Sequence, residues 1–232
     1  MQDRRVIVTG AFGQLGSTVA RAFARAGAKV ALLDVVPAVP PGIEAEFGQN
    51  HLLMRAVDLA DVEATRKAVA AAAMRFNGID VLVNVAGGFR YETLLDGGLA
   101  TWDELYAMNL RTAVVSCKAA LPALLESGRG RIINIGAGAA AKGRVGMGAY
   151  TASKAGVQRL TESLADELKD RGVTVNAILP GTIDTPRNRA DMPDADFSRW
   201  VAPAAIAEVI VFLASDAAAA VTGAAIPVTG RG

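Results

Sequence analysis

The sequence predicts an α/β fold in which a doubly wound parallel β-sheet carries helices on both faces. Short apolar runs alternate with longer stretches rich in Ala, Leu, Glu, Lys and Arg along the chain. Strands that alternate with helices form a parallel sheet, because each helix carries the chain back across the sheet. No linker, charge run or internal repeat interrupts the alternation, so we expect one domain over residues 1–232.

The apolar spacing predicts seven strands and five long helices. The predicted strands are Val6–Thr9, Lys29–Leu33, Leu52–Val57, Val81–Val85, Arg131–Ile135, Thr174–Leu179 and Ala225–Val228. The predicted helices are Leu15–Arg25, Asp61–Phe76, Thr101–Glu126, Tyr150–Lys169 and Pro203–Ser215. Pro37–Pro41 is too short for a linker, and we interpret it as a connection leading into a short piece at Ile43–Phe47.

The charge balance narrows the choice of partners. The 24 Lys and Arg residues nearly match the 23 Asp and Glu residues, which leaves a net charge of +1. This balance favours neither nucleic acid nor an anionic membrane surface, so we expect a small-molecule partner. The N-terminus enters a strand pattern without a signal-peptide layout, and no run reaches the roughly 18 apolar residues of a membrane span. We therefore expect a cytoplasmic protein.

Histidine and cysteine are scarce. Because His51 is the only histidine, a histidine-based metal site or a Ser-His-Asp triad is hard to build, and we predict no metal. The single cysteine, Cys117, cannot form an internal disulfide. Its apolar neighbours predict a buried small residue rather than a nucleophile.

A glycine-rich turn joins the first predicted strand to the first helix. Gly10, Gly13 and Gly16 permit a tight turn, close approach to a pyrophosphate and close helix–strand packing. The helix N-terminus at Gln14 and Leu15 supplies amide donors and a partial positive charge. We predict that these five residues bind a dinucleotide, and the alternative is an ordinary strand-to-helix turn.

Acidic residues end the second and third predicted strands. Asp34 stands where a carboxylate accepts hydrogen bonds from an adenosine ribose diol. A 2′-phosphate would meet like charge there, and the next three residues include no Arg, so NADH is expected in preference to NADPH. Asp58, with the adjacent Leu59, is predicted to lie at the adenine edge. Asp58 could equally cap the helix that starts near Asp61.

Tyr150 and Lys154 stand four residues apart, so in a helix the phenol and the ammonium group share one face. A free phenol has a pKa of about 10, and a cation held beside it in a dry pocket lowers that pKa. The pair is predicted to donate and accept a proton near working pH. The spacing also occurs by chance on solvated helices, so its meaning depends on the other motifs.

Five separated motifs resemble the short-chain dehydrogenase/reductase family. They are the glycine turn, the segment Asn84-Val85-Ala86-Gly87, Asn109, the Tyr150 and Lys154 pair, and Pro180-Gly181. The resemblance implies a Rossmann-like dinucleotide-binding and catalytic domain, with Tyr150 as general acid/base. It implies that Lys154 lowers the pKa of Tyr150 and holds the nicotinamide ribose, and that Asn109 supports a proton-relay water. The implied cofactor contacts also include Asn84, Ala86, Gly87, Pro180, Gly181, Thr182 and Ile183.

Two positions depart from the family pattern. Gly13 stands one position earlier than the middle glycine of the commonest pattern. The catalytic serine expected thirteen residues before the tyrosine is Ala137, and no side chain between Ile135 and Tyr150 carries a hydroxyl group.

The missing serine and three stretches resemble the dihydropteridine reductase subgroup of this family. The stretches are residues 85–89, 136–150 and 184–200. Phe89 replaces that subgroup's tryptophan beside the substrate. We predict that Phe89, Ala137 and Trp200 line the substrate site, with Trp200 or Phe197 stacking from a lid on a flat ring. The alternative is a solvated loop that its aromatic side chains anchor.

The leading hypothesis is NADH-dependent reduction of a quinonoid dihydropterin or a similar conjugated imine. Reduction of an ordinary ketone needs a donor aimed at the developing oxyanion, which Ala137 cannot supply, whereas a conjugated heterocycle delocalises the charge. One alternative is a carbonyl or 3-oxoacyl reductase or an alcohol dehydrogenase that works without the serine. Another is a dinucleotide-binding protein with little catalysis.

Two predicted helices, Thr101–Glu126 and Tyr150–Lys169, carry more apolar surface than one sheet face needs. The residues concerned are Leu110, Val114, Val115, Leu160, Leu164 and Leu168. We therefore expect a homodimer or homotetramer built on these helices.

Overall fold

The computed structural model describes residues 1–48 and 50–231. These residues contain a seven-stranded β-sheet. The strands are β1 Arg5–Thr9, β2 Lys29–Leu33, β3 Leu52–Met54, β4 Val81–Asn84, β5 Arg131–Ile135, β6 Thr174–Pro180 and β7 Ala225–Val228. Their order is β3-β2-β1-β4-β5-β6-β7, and every neighbouring pair is parallel. The predicted doubly wound, Rossmann-like fold is confirmed.

Helices cover both faces of the sheet. They are α1 Gln14–Arg25, α2 Pro41–Glu46, α3 Val62–Phe76, α4 Leu99–Leu105, α5 Thr112–Glu126, α6 Gly148–Leu168, α7 Pro186–Asp191 and α8 Pro203–Leu213. Helices α1 and α8 pack together on one face, and α3 and α5 pack together on the other. Across the described ranges, none of the helices combines the length and the apolar character that crossing a membrane requires.

The pleat of β1 explains why its sequence is apolar throughout. Val6 and Val8 pack in one core cluster with Phe23 of α1, whereas Ile7 packs in the other cluster with Phe76 of α3. Successive side chains of a strand point to opposite faces, so a strand covered on both sides needs apolar residues at every position.

Several element boundaries differ from the predicted ones. The third strand stops at Met54 rather than Val57, and Ala56 beyond it has a positive φ of 54°, which is incompatible with an extended strand. The predicted helix Thr101–Glu126 begins at Leu99 and is interrupted by a π-helical segment, Tyr106–Arg111.

The predicted oligomer surface is partly core. Val115, Leu164 and Leu168 are buried within the chain itself, and Leu164 and Leu168 of α6 belong to one of the two core clusters. Val114 is 40% exposed, and Leu110 and Leu160 are half-buried. The apolar surface left for a partner is therefore smaller than the sequence predicts.

The winding of the chain places a crevice at the carboxyl end of β1. The first three strands run outward from β1 to β3, and the later strands run outward from β4 to β7. Thr9, the last residue of β1, pairs with Leu33 on one side and Asn84 on the other. In doubly wound sheets this reversal point is where ligands bind.

Candidate active site

The turn after β1 is held in contact with the loop after β4. Gly10 has a φ of 59°, and a Cβ added there would stand 2.8 Å from the Ala86 Cα. A Cβ at Gly16 would overlap the Gly10 carbonyl oxygen. Gly13 is the N-cap of α1, and a Cβ there would meet only the Gly10 oxygen, at 3.4 Å. The fold itself therefore requires Gly10 and Gly16 to be glycine, whereas Gly13 leaves room for an approaching ligand.

Asp34 and Asp58 occupy different surroundings. The Asp34 carboxylate is 8% exposed and accepts hydrogen bonds from the Phe12 N–H at 2.9 Å and the Val36 N–H at 3.2 Å. It thus braces the glycine turn at the end of β2. Asp58 is exposed and accepts from the Ala60 N–H at 2.9 Å. The alternative that Asp58 caps α3 is wrong, because the Asp61 side chain makes the cap. The side chain of Leu59, which follows Asp58, lies in the core.

Asn84 turns its side chain into the protein interior. Its Nδ2 donates to the Asn134 Oδ1 at 2.8 Å and to the Cys117 Sγ at 3.3 Å. The Nδ2 of Asn84 is thus occupied within the protein, whereas its Oδ1 is buried without a hydrogen-bond partner among the described residues. Cys117 is buried as predicted, and burial raises the pKa of its thiol to about 12, which leaves it protonated.

Tyr150 and Lys154 lie in the first turns of α6, beside the carboxyl end of β5. Lys154 is 5% exposed, and its Nζ donates to the Ile135 carbonyl oxygen at 2.8 Å. Desolvation lowers the pKa of Lys154 to about 8. Burial also raises the pKa of Tyr150. Loss of water disfavours the phenolate in the protein alone, and the expected lowering of the Tyr150 pKa by Lys154 stays a prediction.

Asn109 reaches the same point from the π-helical segment. Asn109 is 1% exposed, and its Oδ1 accepts a hydrogen bond from the Gly88 N–H at 2.8 Å. Its Nδ2 donates one hydrogen bond to the Gly88 oxygen at 3.1 Å and another to the Ser153 Oγ at 3.0 Å. A Cβ at Gly87 would stand 2.7 Å from the Asn109 Oδ1 and 3.1 Å from the Lys154 Nζ. Single π-helical turns within α-helices are frequent at functional sites.

The loops after β5 and β6 lie side by side. Ala137 is 6% exposed and extended, and a Cβ at the next residue, Gly138, would stand 3.2 Å from the Pro180 oxygen. A Cβ at Gly181 would stand 3.0 Å from the Thr229 oxygen, so this loop also packs against the C-terminal segment. The loop continues through Thr182 and Ile183, which pair with Val201. The segment 184–200 is thereby tied down at both ends.

The aromatic residues predicted near the substrate separate into two groups. Phe89 packs edge-to-face on the Tyr150 ring, with centroids 4.9 Å apart, and stays 45% exposed. Trp200 instead packs against Phe197, with ring centroids 4.7 Å apart and the planes tilted by 55°, and the Arg189 guanidinium lies over the Phe197 ring. The structure brings Phe89 to Tyr150, whereas the ring contacts of Trp200 are with its own segment.

A short chain dehydrogenase family model matches residues 4–196 of the chain. This chain belongs to the short-chain dehydrogenase/reductase family. Members of this family are NAD(P)-dependent oxidoreductases, and this chain is one as well.

Curated relatives match nearly the whole chain. D-threitol dehydrogenase of Mycolicibacterium smegmatis is 36% identical over 99% of this chain and 93% of its own length. A 2,5-dichloro-2,5-cyclohexadiene-1,4-diol dehydrogenase of Sphingobium indicum is 34% identical over 97% and 94%. A 3-oxoacyl-[acyl-carrier-protein] reductase of Vibrio cholerae is 32% identical over 99% and 97%. The chain is thus similar to family enzymes named for several different substrates.

Sequence reasoning missed two hydroxyl groups of this site. The Thr9 Oγ1 accepts hydrogen bonds from the Val85 N–H at 3.0 Å and the Ala86 N–H at 3.2 Å, which joins the two loops of the crevice. Ser153 accepts from Asn109. Thr9 could have been found from its place immediately before the glycine turn, but nothing in the sequence indicates that Ser153 faces Asn109.

Proposed function

We propose that this protein transfers hydride between NAD(H) and a small alcohol or its carbonyl counterpart, with Tyr150 as the proton donor and acceptor. The observation that carries the proposal is the convergence of Tyr150, the buried Lys154 and Asn109 on the loop after β4, beside the glycine turn. The relatives named for a polyol, a cyclic diol and a 3-oxoacyl group support an alcohol or carbonyl substrate.

The crevice fits a dinucleotide. The absence of Cβ atoms at Gly10 and Gly16 allows the close contacts of the turn, and the N-terminus of α1 presents amide groups to a pyrophosphate. We propose further contacts from Asp34 and Asp58 at the adenosine end. At the nicotinamide end we propose Lys154, Tyr150 and the loops at 84–87 and 180–183. A bound nicotinamide supplies or accepts the hydride.

NADH is the proposed cofactor because Asp34 presents a carboxylate where a 2′-phosphate would stand. Its two hydrogen bonds come from backbone amides, and within residues 1–48 and 50–231 no ion pair to this carboxylate is found. Initial rates with NADH and NADPH test the preference, and a lower KM for NADPH would contradict it.

The proton chemistry follows from the burial of the two side chains. Because burial raises the pKa of Tyr150, its phenol is protonated at neutral pH and ready to donate to a developing alkoxide. Lys154, with a pKa of about 8, is mostly charged at neutral pH and favours a phenolate once substrate oxygen has taken the proton. In the oxidative direction the same phenol must lose its proton first, so oxidation is expected to increase with pH.

Ala137 favours a second candidate, an activated electrophile such as a quinonoid dihydropterin. A hydroxyl donor at this position would be worth about 3 kcal/mol to an oxyanion, and the methyl group of Ala137 donates nothing. Ser153 does not supply the missing donor, because its hydroxyl group already donates to the Tyr150 carbonyl oxygen and accepts from the Asn109 Nδ2. A substrate that delocalises the developing charge loses least from this absence.

Rates measured with Ala137→Ser separate the two candidates. The panel contains threitol, a cyclic diol, a 3-oxoacyl thioester and a quinonoid dihydropterin. If the substrate is an ordinary carbonyl compound, the added hydroxyl raises its reduction by about a hundredfold, whereas pterin reduction hardly changes.

Tyr150→Phe tests the shared mechanism. It lowers turnover by about a hundredfold or more, while Tyr91→Phe, at an exposed tyrosine, leaves turnover unchanged. Equal rates for Tyr150→Phe and the unmodified protein would remove the proposal.

We also propose a homo-oligomer that covers the exposed Val114 and the half-buried Leu110 and Leu160. Light scattering at micromolar concentration tests it, and a monomer would contradict it.

A further inference from the structure

We propose that Ser153 is a positioning residue for Tyr150, acting through a closed circuit of contacts that runs through Asn109, Gly88 and Phe89 back to the Tyr150 ring. This inference rests on the proposed role of Tyr150 as the proton donor and acceptor. Ser153 itself touches the backbone of Tyr150 and not its hydroxyl group.

Ser153 joins two of the site's elements with one hydroxyl group. Its Oγ donates to the Tyr150 carbonyl oxygen at 2.8 Å and accepts from the Asn109 Nδ2 at 3.0 Å. Because a serine hydroxyl carries a single hydrogen, the bond to Tyr150 leaves it only an acceptor for Asn109. The side chain is 5% exposed, so water does not readily replace it.

That acceptor holds the Asn109 amide in the orientation that also matches the Gly88 backbone. With its Nδ2 turned to Ser153, Asn109 presents its Oδ1 to the Gly88 N–H at 2.8 Å and its Nδ2 to the Gly88 oxygen at 3.1 Å. A flipped amide would place an oxygen opposite the Gly88 oxygen and a second donor opposite the Gly88 N–H. Ser153 therefore holds the loop after β4 through Asn109.

The loop closes the circuit at Tyr150. Phe89, adjacent to Gly88, packs its ring at 84° to the Tyr150 ring, with centroids 4.9 Å apart. This contact excludes water from one side of the phenol and fixes the direction of its hydroxyl group. With no hydroxyl at position 137, placement of the substrate oxygen depends more heavily on the Tyr150 ring.

The same helix provides a matched control in Thr161. Its hydroxyl accepts from the Asn134 Nδ2 at 2.9 Å and donates to the Val157 carbonyl oxygen at 2.8 Å, and the residue is 1% exposed. Ser153→Ala and Thr161→Val each remove one buried hydroxyl with the same kind of partners. Thr161 makes no contact with Asn109 or Tyr150 among the hydrogen bonds described, so a general loss of helix packing would affect both variants alike.

The test is an ultraviolet titration of Tyr150 in the protein without added substrate. The two other tyrosines are exposed, and subtraction of the Tyr150→Phe titration isolates Tyr150. In Ser153→Ala the loop loosens, water reaches the phenol, and the pKa of Tyr150 falls towards its ordinary value of about 10. The Thr161→Val titration matches that of the unmodified protein. On any substrate that the panel identifies, kcat falls by about tenfold in Ser153→Ala alone.

A Tyr150 titration that is unchanged in Ser153→Ala, or shifted equally in Thr161→Val, overturns the inference. Phe89→Ala tests the circuit from its exposed end should Ser153→Ala fail to fold. It is expected to lower the Tyr150 pKa in the same way, and an unchanged titration there overturns the circuit. Because the titration needs no turnover, an inactive protein would refute the proposed function without affecting this result.

Discussion

Lys154→Met is expected to stabilise the protein while removing its proposed activity. Lys154 is 5% exposed, and one hydrogen bond, to the Ile135 carbonyl oxygen, is described for its ammonium group. Burying a charge with so little compensation destabilises the folded state, and the lowered pKa measures that effect. Met has a similar shape and carries no charge.

The size of the effect follows from the pKa. The change from 10.5 to about 8, at about 1.36 kcal/mol for each tenfold change in affinity for the proton, corresponds to about 3 kcal/mol. The Ile135 oxygen loses its partner in the variant, which offsets about 1 kcal/mol. The net gain at pH 7 is about 2 kcal/mol, or about 4 to 8 °C in Tm for a domain of this size.

The direction of the Lys154 pKa shift also determines how stability depends on pH. Between pH 8 and 10.5 the unfolded chain holds more protons at this lysine than the folded protein does, so the unmodified protein gains stability as pH rises. The stability gain of Lys154→Met is therefore full below pH 8 and disappears before pH 10.5, where only the cost of the unpartnered Ile135 oxygen remains.

Urea unfolding at pH 7 and pH 10, without added cofactor, measures the difference. Lys118→Met, at an exposed lysine of α5, is the control and is expected to change stability by less than about 0.5 kcal/mol. A Lys154→Met variant less stable than the unmodified protein at pH 7 would refute the reasoning.

Two further predictions concern the glycine turn and the only histidine. Gly10→Ala is expected to lower Tm and to weaken NADH binding more than tenfold, because its Cβ would stand 2.8 Å from the Ala86 backbone. Gly13→Ala should leave Tm nearly unchanged. Calorimetry with NADH measures the affinity and thermal melting measures Tm, and an equal loss of Tm in both variants would contradict the contrast. The His51 Nδ1 accepts a hydrogen bond from the Val30 N–H at 3.2 Å, and burial lowers the pKa of His51 below 6.5. The contribution of the neutral His51 side chain to stability is therefore complete above pH 6.5 and is lost as pH falls through the lowered pKa. Urea midpoints between pH 5 and 7 should fall less with acid in His51→Leu, and a parallel fall in both proteins would exclude this role.

Local residue types predicted much of the fold. The apolar run at Val6–Thr9 and the helical stretch that ends at Arg25 were sufficient to place β1 and α1, because strand and helix periods are written in consecutive residues. The glycine turn between them was predicted in the same way. Element ends were harder, since Ala56 leaves the strand conformation for reasons that its own side chain does not indicate.

In the candidate site, too, some features follow from local sequence and others depend on tertiary packing. The spacing of Tyr150 and Lys154 indicates a shared helix face, but the sign of the Tyr150 pKa shift depends on how much water the fold removes. The inward turn of Asn84 and the contact of Phe89 with Tyr150 likewise depend on which elements pack together.

The sequence by itself determined the doubly wound sheet, the position of the glycine turn and the spacing of the pair that we propose transfers the proton. Only the tertiary structure decided that Ser153 faces Asn109, that a π-helical turn carries Asn109 to Gly88, and that burial raises the pKa of Tyr150 and lowers that of Lys154. The physical reason is that backbone conformation responds mainly to neighbouring residues, whereas desolvation and side-chain hydrogen bonds depend on residues far apart in the chain.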